Sequence, residues 1–249
     1  SWCGLLNFLE TLFACLFQGV DFGDILEQAL LSALKKIDIG LFKRLLLGLP
    51  PWVQRQIAET ASGMMNAIGL QNVGLESFLE DKVPFLSTLQ NCVVVNVIGK
   101  TVKEYEEVAR GLCGVDCISA LELNISCPNI KEGGISFGTD CVAAAEVTAA
   151  TVAASDKPVW VKLSPNVTDV AAIGVACEEA GAAGLSVINT LLGLAIDLES
   201  RRSRLKIGAG GFSGPAIKPV ALRMTWQVSQ ACQIPVIGMG GIANAQDAL

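Results

Sequence analysis

Cys92-Val93-Val94-Val95-Asn96-Val97, then Val102-Lys103-Glu104-Tyr105-Glu106-Glu107-Val108-Ala109-Arg110-Gly111-Leu112, then Leu121-Glu122-Leu123-Asn124-Ile125 is the succession that decides the fold. The outer segments are short apolar runs, the first of them rich in β-branched residues, and suit buried strands. The middle one spaces apolar residues at helical intervals among Lys103, Glu104, Glu106, Glu107 and Arg110, as a surface helix packed on a sheet does. Working outward, the same alternation continues through Cys141 to Ala154, Val159 to Leu163, Val170 to Ala180, Leu185 to Asn189, Pro219 to Ala231 and Ile234 to Gly238. Gly181 serves as a helix stop. Strands alternating with helices predict a parallel α/β architecture.

Composition narrows the function. The chain has 249 residues, 51% hydrophobic and 17% charged, enough apolar surface for one sizeable core. A formal charge of −6 argues against a surface that neutralises nucleic-acid phosphates. Histidine is absent, so proton transfer falls to Cys, Lys, Asp, Glu or Tyr, and no Ser-His-Asp or His-metal arrangement is available. The cysteine count of 9 is odd and the spacings irregular, which suits reduced thiols in a cytoplasmic protein. Cys113 and Cys117 read as buried thiols, and no metal site is expected. Charges and prolines interrupt the apolar runs, so no membrane span is expected, and the start lacks the pattern of a signal peptide. Residues 1–56 stand apart as a leucine-rich, mostly helical segment, a short helical hairpin closed off by Pro50-Pro51-Trp52; the α/β region runs from 57 to 249.

Asn96, Asn124, Lys162 and Asn189 all fall at or near the carboxyl ends of their apolar runs. Buried polar groups cost a few kcal/mol unless paired, so this recurrence suggests a shared ligand at one face of a barrel. Lys162 needs either a ligand anion or a neighbouring carboxylate. The cluster Leu123-Asn124-Ile125-Ser126-Cys127-Pro128-Asn129 places a thiol just past a strand among amides, where it can exchange a proton. Ala58 to Asn72 reads as a glycine- and amide-containing loop, able to approach a flat ring or simply to turn. Gly208 to Pro215 and Gly238 to Ile242 read as glycine-rich loops flanking the last helix, suited to phosphate binding or to tight turns. Neither fits the Walker or dinucleotide patterns.

Taken together, Asn66-Ala67-Ile68-Gly69-Leu70-Gln71-Asn72, Asn124 to Asn129, Lys162-Leu163-Ser164-Pro165-Asn166, Asn189-Thr190-Leu191-Leu192-Gly193, Ser213-Gly214-Pro215-Ala216 and Gly238-Met239-Gly240-Gly241 resemble the dihydroorotate dehydrogenase family, most closely its class 1B catalytic subunits. The resemblance implies a (β/α)8 TIM barrel holding FMN at the carboxyl ends of the strands and oxidising (S)-dihydroorotate to orotate in pyrimidine biosynthesis. It implies Cys127 as the base and Lys162 as the charge beside the flavin's pyrimidine edge. Asn66, Ala67, Ile68, Gly69, Leu70, Asn124, Asn189 and Thr190 match substrate-binding positions. Asn96, Asn124, Lys162, Ile188, Gly214, Gly240 and Gly241 match FMN-binding positions. A homodimer within a heterotetramer is also implied, the partner being an iron-sulfur flavoprotein with FAD and a 2Fe-2S cluster that passes electrons to NAD.

Two departures set further expectations. Residues 1–56 do not reproduce the family's first strands, although Lys43 lies near the distance of an early family lysine. The last strand and helix of the barrel are expected to lie beyond Leu249, leaving an incomplete barrel with weak FMN retention and poor solubility. Two other readings remain: an FMN domain of the dihydropyrimidine dehydrogenase kind, which shares the Asn-x-Ser-Cys-Pro theme, and an inactive barrel fragment.

Overall fold

The computed structural model describes residues 56–69, 72–126 and 137–249. The helical segment expected over 1–56 lies outside these residues except for Gln56, and Leu70 and Cys127 lie outside them too. A hairpin of β1 (Ile57–Thr60) and β2 (Gly63–Asn66) comes first. Helical turns over 75–86 lead to β3 (Val93–Val97), α1 (Val102–Gly111), β4 (Ile118–Asn124), α2 (Cys141–Ala154), β5 (Val159–Lys162), α3 (Val170–Glu179) and β6 (Gly184–Val187). An excursion of β7 (Leu191–Gly193), β8 (Ile196–Asp197), β9 (Arg202–Ser203) and β10 (Gly210–Ser213) precedes α4 (Lys218–Ala231), β11 (Val236–Gly238) and α5 (Ala245–Ala248).

The main sheet is parallel, in the order β11-β6-β5-β4-β3. Spatial order follows chain order without reversal, which is the winding of a (β/α) barrel and not of a doubly wound sheet. Helices α1 to α4 pack side by side in the same order. The first three are started by side chains: Thr101, Asp140 and Asp169 accept hydrogen bonds from the amides of Glu104, Ala143 and Ala172. Leu121, Leu123, Val161, Leu185 and Val187 belong to the buried core together with Val147, Ile173, Cys177, Met224 and Val228 from the helices. Strand alternation then assigns Glu122, Asn124, Lys162 and Ser186 to the opposite face of the sheet, the interior of the arc.

Two sequence-based expectations need correction. The stretch Ala58 to Asn72 is not simply a loop, since β1 and β2 form within it. Gly208 to Pro215 likewise contains β10, which pairs antiparallel with both β2 and β7. The second sheet, in the order β1-β2-β10-β7, joins segments far apart in sequence. Strands β2, β7 and β10 contain no β-branched residue and so lack the signal that marks strands locally.

No helix among the described residues is long and apolar enough to cross a membrane, and no group of three or more His, Cys, Asp or Glu among them could hold a metal. Cys113 and Cys117, expected as buried thiols, are instead exposed and half-buried, and Cys113 donates from Sγ to the Ala154 carbonyl at 3.2 Å. Burial pushes the Cys177 thiol up to about 12 and, with Glu178 nearby, the Cys232 thiol up to about 11. Only thiolates react readily with electrophiles, so a maleimide at neutral pH should label exposed Cys92 in the native protein. Cys177 and Cys232 should react only after denaturation; peptide mass mapping of native and unfolded samples checks this.

Candidate functional site

The strand ends carry a connected polar network. Asn96 lies opposite Glu122 across β3 and β4, and Asn124 opposite Lys162 across β4 and β5. Asn96 donates from Nδ2 to Glu122 Oε2 at 2.6 Å, and the Lys162 ammonium lies 3.6 Å from the same oxygen. Glu122 and Lys162 are each 8% exposed, so this carboxylate is the acceptor that a buried lysine requires. Of the two partners considered for Lys162, the protein itself supplies the carboxylate.

The network continues from Asn124. Its Oδ1 accepts from the Ser126 hydroxyl at 2.8 Å and from the Ser126 amide at 3.3 Å. Asn189 Nδ2 in turn donates to Ser126 Oγ. Behind the strand, Tyr105 donates from its hydroxyl to the Asn124 carbonyl at 2.8 Å, and its ring meets Phe137 edge to face at 5.7 Å. The sole tyrosine is thus a buried brace for the end of β4, with the polar tip satisfied. Asn96, Asn124, Lys162 and Asn189 are therefore gathered at one end of the arc, as their shared place in the sequence pattern predicts.

The second sheet assembles another part. Asn66 pairs with Gly211, and the Ala67 amide donates to the Gln56 carbonyl at 2.7 Å, before the chain passes through Ile68 and Gly69. A side chain at Gly211 would place a Cβ 2.4 Å from Thr190 Oγ1, so β10 brings the Asn66 strand and Thr190 close together. Asn166 fixes the Thr190 segment from the other side: Nδ2 donates to the Thr190 carbonyl at 3.1 Å and Oδ1 accepts from the Leu192 amide at 2.8 Å.

A third part lies at the start of α4. Ile188 is 3% exposed and its amide donates to the Met239 carbonyl at 3.1 Å, joining the end of β6 to the segment after β11. Gly240 follows, and a Cβ there would fall 2.8 Å from Ala221 of α4. At Gly241 φ is +75°, and a Cβ would fall 2.7 Å from the Lys218 amide nitrogen and 2.9 Å from the Gly214 carbonyl oxygen. Gly214, Gly240 and Gly241 thus converge on the amino end of α4, whose backbone amides favour an anion. Lys218 bridges to Asp247, holding that carboxyl below the usual aspartate range. Replacing Gly241 by Ala should cost about 1–3 kcal/mol, through the left-handed backbone and the clash with backbone atoms. A lower urea midpoint with an unchanged slope is the expected reading.

Glu122, Ser126, Asn166 and Ser186 are the polar residues here that sequence reasoning did not single out as site residues. The spacing of Glu122 and Asn124 is the signal that could have found the first, because residues i and i+2 of a strand share a face. Ser186 sits beside Lys162 in register, is fully buried, and its Oγ has no hydrogen-bond partner among the described residues.

An arc of parallel strands with amides and a paired lysine at one end, closed by a glycine-lined helix start, defines a ligand-binding (β/α)-barrel protein. The chain belongs to the dihydroorotate dehydrogenase family, whose model matches residues 54–249. It is 52% identical over 231 residues to "Dihydroorotate dehydrogenase B (NAD(+)), catalytic subunit" of Citrifermentans bemidjiense, covering 93% of this chain and 74% of the relative. A match of that length extends into residues 1–56. The protein of the same name from Geotalea daltonii is 53% identical over 231 residues, with the same coverage. That from Pelobacter propionicus is 58% identical over 194 residues, covering 78% of this chain and 64% of the relative.

Proposed function

We propose that this chain is a catalytic subunit that oxidises (S)-dihydroorotate to orotate with FMN and passes the electrons to NAD through a partner subunit. The observation that carries the reading is the continuous network from Lys162 through Glu122, Asn96, Asn124 and Ser126 to Asn189, at the ligand-binding end of a family barrel. The names of the relatives, with "catalytic subunit" and "NAD(+)", support the partner and the acceptor.

The residues present fit FMN. The start of α4 offers backbone amides that would suit a phosphate, with Gly214, Gly240 and Gly241 packed closely around it. Ile188 and Asn96 flank the strand ends, where they would border the ring. When bound, FMN would supply two-electron oxidation, taking the C6 hydrogen with its electron pair. Cys127 takes the C5 proton, so that the two departures leave the ring with a C5–C6 double bond. Lys162 would offer positive charge to the reduced cofactor. Asn66, Ala67, Ile68, Gly69 and Leu70, with Asn124, Asn189 and Thr190, hold the substrate's ring amides and carboxylate.

In this reading residues 57–249 are the FMN-binding barrel unit and 1–56 a separate segment. The assembly is a homodimer within a heterotetramer with an iron-sulfur flavoprotein carrying FAD and a 2Fe-2S cluster, working in the cytoplasm without nucleic acid or membrane. The test reconstitutes the purified chain with FMN and assays dihydroorotate and uracil side by side. Stoichiometric FMN and orotate formation are expected; preference for uracil would favour the dihydropyrimidine dehydrogenase reading, and failure to bind FMN the inactive fragment.

A further inference from the structure

We propose that Glu122 is a positioning residue that keeps Lys162 charged and aimed, and fixes which way the Asn96 amide faces. This deepens the function proposed above and rests on it. The Glu122 carboxylate oxygen Oε2 meets two groups assigned to the cofactor, accepting from Asn96 at 2.6 Å and lying 3.6 Å from the Lys162 ammonium. A carboxylate can only accept, so it obliges Asn96 to present Nδ2 toward it and turns Oδ1 toward Asn124 Nδ2, 3.5 Å away. One side chain on β4 thereby orients the polar groups of β3 and β5.

Lys162 and Glu122 are nearly sealed from solvent, and an unpaired buried ammonium releases its proton in preference to remaining charged. The other strands packed against Lys162 bring no competing charge: β6 places Ser186 opposite it, β4 adds the Asn124 amide, and Glu122 is the carboxylate within 4 Å among the described residues. Without Glu122, Lys162 should lose its proton within reach of ordinary buffers, and with it the charge that holds the cofactor's edge.

The experiment measures FMN affinity of the full 249-residue chain by fluorescence titration of the apoprotein across the neutral to mildly alkaline range. Wild type should change little. Glu122→Gln keeps size and an acceptor oxygen but removes the charge, and its affinity should fall about tenfold as pH rises, the worth of one charge-assisted hydrogen bond. Glu122→Asp should restore the flat profile, and in a Lys162→Met background Glu122→Gln should add no pH dependence. A merely structural role would weaken binding equally at every pH. Parallel profiles for wild type and Glu122→Gln would overturn the proposal, as would a new ionisation that persists without Lys162. If Glu122→Gln does not fold, the double variant Glu122→Gln/Lys162→Met decides: recovery of the fold supports a charge-compensating pair, and continued misfolding overturns it. Failure of wild type to bind FMN or oxidise dihydroorotate would instead sink the function itself, so the two failures are told apart.

Discussion

Replacing Cys127 by Ser is expected to reduce dihydroorotate oxidation by about 10²–10⁴-fold while leaving FMN content unchanged, the range lost when a positioned general base is removed. The expectation follows from the resemblance of Asn124 to Asn129 to the family's motif, and the other candidates are few. No histidine exists to share the role, and Tyr105, the only tyrosine, is buried with its hydroxyl committed to the Asn124 carbonyl. Lys162 is engaged by Glu122 at 3.6 Å. Cys127 follows Ser126 in sequence, whose hydroxyl ties Asn124 and Asn189 together. A serine hydroxyl is a far weaker acid than a thiol, so Cys127→Ser keeps the size and loses the base. The measurement is single-turnover reduction of the bound flavin by dihydroorotate, because it isolates the chemical step from electron transfer to a partner. A rate within about threefold of wild type would remove Cys127 from the mechanism.

How much of this could be read before the structure depends on whether each signal is local. The arc was legible because Val93 to Val95, Val159 to Val161 and the capped helices between them declare themselves within a few residues of sequence. Asn96, Asn124 and Lys162 were legible for the same reason, as polar residues ending apolar runs. The β1–β2 hairpin was not, because Met64, Met65 and Asn66 become strand by pairing with Gly211 to Ser213, a partner far along the chain. Glu122 was hidden differently. A single carboxylate in a strand reads as a solvent-facing residue, and its true partners, Asn96 and Lys162, lie on two other strands and meet it only when the sheet assembles in register. Local propensity cannot report a contact made by register; the i, i+2 relation to Asn124 was the available hint.

Lys162→Met should be the most damaging single change to the folded chain, and the reason lies in what it leaves behind. Methionine fills much the same space, so little packing is lost, but Glu122 then sits 8% exposed without a cation. Breaking a buried pair from one side typically costs about 3–5 kcal/mol, and the surviving bond from Asn96 to Glu122 places the expected cost near 3 kcal/mol. For a chain of this size that corresponds to roughly 6–12 °C in Tm. Turnover should fall in addition by about 10²-fold, the scale of removing one preorganised charge from a developing anion. The two losses separate through the partner: adding Glu122→Gln to Lys162→Met should return most of the stability, since no charge is then stranded, while activity stays low because the ammonium is still missing. Thermal denaturation and flavin reduction measured on the same two proteins test both halves. If the second substitution restores neither, or if it restores both, the pair is not the compensating unit that its geometry indicates, and the positive charge at position 162 does not carry the chemistry assigned to it.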